Sequence, residues 1–316
     1  MRRPGPETLL AVPVFVALFY VPYLISGYTV FILAQYMLYG VLALTLCLLW
    51  GLGGMVSFGQ GAFFALGAYA LGITVRELDS PWLGLLLAVV LGAGVAGAVG
   101  WFLFSANVRD SYFVLVTLAL STIVYVVANA QSGLTGGFNG MFVPRVSFGP
   151  LSLSGDLSMY YLAFAVTLAS YVGARLVQAS AFGRVLVSIR ENEDRTQALG
   201  YPTALYKTAA FALSGAVAAV AGALYATDAG FVSPSLGGVL FSTTVVVWVA
   251  VGGRNSFLAA LVGAIGISAL SNALNSVVPE YWQLLLGVLF VLVIVFFRRG
   301  VVGSLLMVGE RRHARR

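Results

Sequence analysis

Charge is what this sequence has least of. Of 316 residues, 17 are Lys or Arg and 11 are Asp or Glu, only 9% together. A soluble domain carries about 25% charged residues. So few charges cannot solvate a water-soluble fold of this size, which excludes a cytosolic enzyme and a disordered chain. Cysteine is nearly absent too. Cys47 stands alone inside an apolar run, so no internal disulfide can form and a secreted disulfide scaffold is excluded. The one histidine, His313, lies in a basic tail, and the one lysine is Lys207. One His and one Cys cannot make a metal cluster. The sequence has no Gly-x-x-x-x-Gly-Lys-Ser/Thr phosphate loop, so it carries no ATPase motif of that kind. No Ser-His-Asp set or paired carboxylates fall inside the apolar runs. The expectation is a chain with no catalytic residue, no cofactor, no metal and no engine of its own.

What is abundant is apolar. Hydrophobic residues make up 60% of the chain, and the mean hydropathy is +0.97. Ten runs can be drawn without crossing a charge: 8–26, 29–50, 61–75, 82–105, 112–130, 158–174, 208–227, 238–251, 256–276 and 281–297. Backbone polar groups in hydrocarbon must bond internally, so the runs read as helices. A β-barrel needs strands that alternate in polarity. The run from Leu284 to Phe297 is apolar on both faces, so a barrel fails. The fold class expected is an all-α polytopic membrane protein of about ten spans.

Basic residues set the orientation. With the N-terminus in the cytoplasm and strict alternation, 15 of the 17 basic residues fall inside, and Arg76 and Arg145 fall outside. A missed span would scramble that asymmetry, so both termini are placed in the cytoplasm. The net charge of +6 follows membrane topology and gives no reason to invoke nucleic acid. Arg2 and Arg3 resemble a signal-peptide start, but no small-x-small site follows, so the first run is read as a retained helix. Tyr281 and Trp282 suit an interfacial anchor for the last span. One membrane domain is expected over 1–307, including a cytoplasmic segment at 183–207, with a basic cytoplasmic tail over 308–316.

An internal echo suggests two related halves in parallel orientation. Residues 53–58 read GGMVSF and residues 252–257 read GGRNSF, 199 positions apart. Each follows an apolar run and leads into a Gly/Ala-rich one. The neighbouring runs 61–75 and 238–251 are the two shortest. Glycine-interrupted or short spans at matching places in two halves point to a transport pathway, although small residues also serve plain helix packing. Uncharged polar residues near these sites, Ser57, Gln60, Thr117, Asn255 and Ser256, are the candidates for pathway polarity. Each is equally the ordinary type of an interhelical hydrogen bonder. Asp228, at the outer edge of a span, reads as a solvated helix-end residue, with a place at the outer gate as the other reading.

The segment from Arg175 to Lys207 carries eight charges between two spans. Within it, Val185–Leu199 is expected to be one helix. Arg190–Asp194 and Glu191–Arg195 form i,i+4 pairs, Gly200 fits the position just past the helix end, and Pro202 prevents continuation. The face through Leu186, Ile189, Glu193 and Thr196 is apolar only in its first half. Such a helix could lie in a groove on a soluble partner and act as a lever on both attached spans, or be a solvated loop.

Several stretches, in order, resemble the permease subunit of bacterial ABC importers for branched-chain amino acids and for urea or short amides. They are Trp50–Tyr69 (WGLGGMVSFGQGAFFALGAY), Tyr112–Ala119 (YFVLVTLA), Leu134–Gly140 (LTGGFNG) and Gly183–Tyr206. Ala221–Tyr225 (AGALY), Gly230–Pro234 (GFVSP), Trp248–Gly253 (WVAVGG) and Arg299–Gly303 (RGVVG) complete the set. The resemblance implies that 183–200 is the coupling helix that sits on an ATP-binding subunit. Arg190, Glu191, Asp194, Ala198, Leu199 and Gly200 are its contact candidates. It also implies a second, homologous permease, two ATP-binding subunits, a periplasmic or lipid-anchored solute-binding protein, and the bacterial inner membrane. Such permeases often have His where this chain has Gln60, an amide that hydrogen-bonds but does not titrate. The stretch Trp248–Arg254 looks closer to the urea and amide branch. From the residues alone, an ion-coupled carrier, a passive channel for small neutral solutes and a structural scaffold stay open.

Overall fold

The structure is a computed structural model that describes residues 6–288, except 26, 107, 109, 149–150, 153–154, 278, 282–283 and 286. The basic tail and most of the last apolar run, including Trp282, lie outside the described residues. In chain order the helices begin with α1 (Pro6–Leu24) and α2 (Tyr28–Cys47), which runs on into a π-helical turn at Leu48–Leu52. Next come α3 (Gln60–Leu78), α4 (Pro81–Ser105), α5 (Asp110–Ala130) and the single turn α6 (Ser132–Thr135). Three two-residue strands follow, β1 (Met141–Phe142), β2 (Ser147–Phe148) and β3 (Leu151–Ser152). After α7 (Asp156–Ala179) come the short α8 (Ala181–Glu191) and α9 (Glu193–Ala198), then the long α10 (Thr203–Ala229). Strand β4 (Phe231–Val232), α11 (Val239–Gly252) and α12 (Phe257–Val277) complete the series.

Among the described residues, seven helices are long and apolar enough to cross a membrane: α2 with its π turn, α3, α4, α5, α7, α10 and α12. The first and eighth apolar runs also fold as helices, but short ones, with apolar parts at Leu10–Leu24 and Val239–Gly252. At 1.5 Å per residue, 14 residues of α11 cover about 21 Å, less than a bilayer core of about 30 Å. Pro13 and Pro22 interrupt the bonding pattern of α1.

Helices α2 and α3 form the buried centre, and α4 and α5 turn most of their surface outward. Helix α10 packs on α4, α3 and α2. The sequence prepares the α4–α10 contact. Gly84, Ala88, Gly92, Ala96 and Gly100 recur every four residues along α4, and all five are buried. A stripe of small residues lets two backbones approach closely, so dispersion and weak contacts act over the full helix length. Beyond α5, β1 pairs antiparallel with β4, Met141 opposite Val232, and β2 pairs with β3 as a small hairpin. The β1–β4 pair ties the long connection after α5 to the end of α10.

Candidate functional site

The two echo segments are both breaks between helices. Gly54 has φ of +74° and Gly253 has φ of +137°, values that favour glycine because a Cβ there crowds the backbone. The two breaks also touch. The Cys47 thiol lies 3.4 Å from the Arg254 carbonyl oxygen, and a side chain at Gly51 would strike that same carbonyl. The Arg254 guanidinium sits 5.7 Å from the centre of the Trp50 ring. Positions about two hundred residues apart therefore meet at one end of the bundle.

Helices α8 and α9 close over that end. The sequence reading expects one helix through Val185–Leu199; the structure corrects this. The chain breaks at Asn192, which is extended (φ −160°, ψ 102°), and its side chain accepts a 2.8 Å bond from the Arg195 amide. Asn at an N-cap competes with helix continuation because it satisfies an amide that otherwise lacks a partner. The i,i+4 pairs across the break are replaced by contacts to the rest of the fold. Arg190 donates to the Gly51 carbonyl. Glu193 pairs with Lys207 at 2.6 Å, and the Lys207 ammonium lies 4.9 Å from the centre of the Phe104 ring. Gly200 follows α9 with φ of +90°, and α10 begins directly after Pro202.

The apolar face of this segment is turned inward: Leu186, Ile189 and Thr196 are buried. Arg190, Glu191, Asp194, Ala198, Leu199 and Gly200 are all exposed. Leu199 is 70% exposed, and Tyr201 and Leu205 are exposed beside it in sequence. The segment thus presents charge and a small apolar group outward while its other face is anchored to the bundle. Sequence reasoning missed Glu7 here. Its carboxylate accepts from Arg175 at 2.6 Å, from the Ser256 hydroxyl at 2.9 Å and from the Leu258 amide at 3.1 Å. An anion at the start of α12 is favoured by the amides exposed there. The only signal in the sequence was an isolated acid ahead of the first apolar run.

The pathway candidates fall in two places. Ser57, Gln60 and Thr117 are fully buried in a polar seam among α2, α3, α5, α10 and α11. The Gln60 amide nitrogen donates to the Ser214 hydroxyl at 3.1 Å, and its oxygen accepts from the Thr45 hydroxyl at 3.0 Å. Thr117 accepts from the Phe58 amide at 3.1 Å, and Ser121 donates to the Phe58 carbonyl at 2.6 Å. Ser121 and Ser242 are 2.9 Å apart, and Ser57 accepts from the Gly59 amide at 3.1 Å. Ser57, Thr117 and Ser121 satisfy backbone groups that the break before α3 leaves open. Asn255 and Ser256 lie apart from the seam, at the α8–α9 end. There Asn255 helps line a pocket of about 260 Å³ with Arg190 and Arg254. Thr45, Ser121, Ser214 and Ser242 went unnoticed because single hydroxyls in apolar runs carry no sequence signal of their own.

A Gln60→Leu variant is expected to lose about 1 kcal/mol, since it removes the Gln60 bonds to Thr45 and Ser214 and leaves those hydroxyls only their backbone acceptors, the Leu42 and Thr45 carbonyls. Thermal melting of the detergent-purified chain measures this; unchanged melting would remove the seam as a stabilising element.

Asp228 needs a correction. It is 2% exposed, in the last turn of α10, and not the solvated helix-end residue that the sequence suggests. The β1–β4 pair and the Val143–Gly230 backbone bond tie the long connection after α5 to this helix end.

The model of the family described as branched-chain amino acid transport system, permease component, matches residues 28–294. The LivM high-affinity branched-chain amino acid permease of Salmonella typhimurium is 29% identical over 308 residues, 89% of this chain and 71% of that protein. The LivH permease of Escherichia coli K12 is 25% identical over 289 residues, 84% of this chain and 91% of LivH. The ribose import permease RbsC of Haemophilus influenzae is 26% identical over 244 residues, 74% of each chain. No solved structure matches.

Proposed function

This chain belongs to the permease-component family of branched-chain amino acid transport systems, and from that premise we propose what it carries and how it is driven. It is a multi-pass membrane permease subunit of an ABC importer. On our reading it moves branched-chain or related neutral amino acids across the bacterial inner membrane into the cytoplasm. It works with a second, homologous permease, two ATP-binding subunits and a periplasmic or lipid-anchored solute-binding protein. The observation that carries the reading is the family match running over almost the whole membrane region.

The α8–α9 end is the cytoplasmic end in this proposal. Arg175, Arg184, Arg190, Arg195, Lys207 and Arg254 gather there, while Arg76 and Arg145 belong to the opposite end, as the excess of inside positive charge requires. Both termini then lie in the cytoplasm, the spans are an even number near ten, and the two echo segments mark two related halves. The permease domain extends over 1–307, with the basic tail over 308–316.

In this scheme Glu191, Asp194, Ala198, Leu199 and Gly200 face the ATP-binding subunit, and Arg190 is the inner link. Movement of α8 pulls on the Gly51 carbonyl, at the end of α2 and beside the Arg254 carbonyl of the α11–α12 break. One displacement therefore reaches both breaks, which is how a rigid helix pair can bias inward against outward access. Ser57, Gln60 and Thr117 stiffen the first break. Asn255 and Ser256 hold the second.

The test is reconstitution. Sealed alone into liposomes, the chain is expected to concentrate no solute. With the second permease, both ATPases, the loaded binding protein and internal ATP, labelled leucine should accumulate. Accumulation by the chain alone under a proton or sodium gradient would replace this reading with an ion-coupled carrier, and downhill flux alone with a channel. Urea is the comparison solute, because the stretch Trp248–Arg254 resembles the urea and amide branch.

A further inference from the structure

The half of the bundle opposite α8 and α9 contains a second pocket. It has a volume of about 390 Å³ and lies between α2, α11 and α12. That is within the range of small-molecule sites, about 300–1,000 Å³. Its lining mixes aromatic and polar side chains, with the exposed Tyr28 at the rim and Phe31 and Tyr36 also on the wall. The deep wall is aromatic: Tyr39 stacks on Trp248 with ring centres 5.1 Å apart, and Phe241 meets both at 5.6 and 5.9 Å. Toward the mouth, Gln35, Thr244, Ser271, Asn272 and Asn275 supply amides and hydroxyls. No Asp, Glu, Lys, Arg or His lines it.

Two of the lining groups are unsatisfied. The Trp248 indole N–H and the Ser268 hydroxyl belong to residues 3% and 6% exposed, and neither has a hydrogen-bond partner among the described residues. A buried donor without an acceptor is costly, and most folds avoid it. Both residues border one cavity, so a small turn of either side chain brings its donor to an acceptor placed there.

We propose that this pocket is the chain's own solute-binding station, and that it takes a small solute of zero net charge with an apolar body and a hydrogen-bonding head. The proposal rests on the transport reading, under which the solute is an aliphatic amino acid. The aliphatic side chain lies on the aromatic wall. The carboxylate accepts from the Trp248 N–H and the Ser268 hydroxyl, and the ammonium donates to amide oxygens at the mouth. No charged side chain lines the pocket, and the buried Asp228 lies behind Gln35 and Tyr39, so an anion is opposed and a zwitterion with its ammonium toward that side fits better.

The experiment uses the full-length chain in nanodiscs, with radiolabelled leucine binding followed by scintillation proximity. Saturable binding is expected, with urea and ribose competing about tenfold or more less effectively than valine. Ser271→Trp, which fills the mouth, should weaken leucine binding by about tenfold or more at an unchanged melting temperature, and Trp248→Phe, in the buried wall, by about three- to tenfold in a chain that melts somewhat earlier but stays folded at the assay temperature. If Ser271→Trp melts early, Asn275→Trp on the exposed rim is the second blocking variant. No saturable leucine binding, or equal binding with the mouth blocked, overturns the site. Competition by urea or ribose as strong as by valine overturns the solute class. Uptake by the assembled importer separates the two readings. ATP-driven leucine uptake that survives both blocking variants unchanged removes the pocket and leaves the permease reading intact. No ATP-driven uptake by the unaltered chain removes the permease reading itself.

Discussion

Replacing Gly222 by valine is expected to abolish the folded protein. A Cβ at this position would lie on top of the Phe64 backbone carbonyl of α3. The neighbouring contacts repeat the arrangement: Gly67 of α3 is pressed against the backbone of Ala219, and Gly92 of α4 and Gly215 of α10 each face the other's carbonyl. The three helices thus approach through backbone, without side chains between them. Overpacking a well-packed interior by a methylene or two costs about 1–3 kcal/mol when side chains can shift. Here the obstacle is backbone on both sides, so α3 and α10 must separate along their length. The loss should exceed about 3 kcal/mol, a large share of the total stability of a typical domain. Membrane yield and the melting temperature of the purified chain read this directly. A variant at Gly97, which has only an ordinary 3.7 Å contact to Ala212, is the control and should cost far less. Equal behaviour of the two valine variants would refute the close-approach argument.

The second large effect is functional and leaves stability alone. A double variant, Glu191→Lys with Leu199→Asp, changes two exposed side chains. Surface substitutions of this kind usually stay within about 0.5 kcal/mol. If these residues face the ATP-binding subunit, one charge is reversed and an exposed apolar contact becomes an acid. Stimulation of ATP hydrolysis by loaded binding protein should then fall about tenfold or more, the scale of a coupling energy of about 1–3 kcal/mol. The matching control is Leu186→Ala on the inward face. That side chain is fully buried, so its truncation should cost about 2–5 kcal/mol of stability. Normal stimulation in an assembled double variant would deny the α8–α9 surface its coupling role.

Much of this was legible in the sequence, for a definite reason. In hydrocarbon a backbone has few options, so low charge and long apolar runs already imply helices, and nine of the ten runs coincide with α1–α5, α7 and α10–α12. The ordered motifs carried the family, and the charge and turn chemistry of residues 183–202 marked the segment between α7 and α10. Gly200 and Pro202 were readable because a positive φ and a missing amide are local properties of those residues.

What the sequence could not say concerns partners distant along the chain. Asn192 was read as lying inside one helix; in the structure it caps a second one, with Arg190 bonded to Gly51 and Glu193 to Lys207 on either side of the break. Gln60 looked like pathway polarity; packing placed Thr45 and Ser214 around it and made it part of a closed seam in this conformation. Asp228 looked solvated, and packing beside Gln35, Tyr39 and Tyr225 buried it. The apolar pattern determined that the chain crosses a membrane as helices, because desolvating a peptide group is a local cost that every residue meets alone. Tertiary structure decided which polar groups are paired and which are buried without a partner among the described residues, because a hydrogen bond needs two partners and the sequence writes down only one at a time.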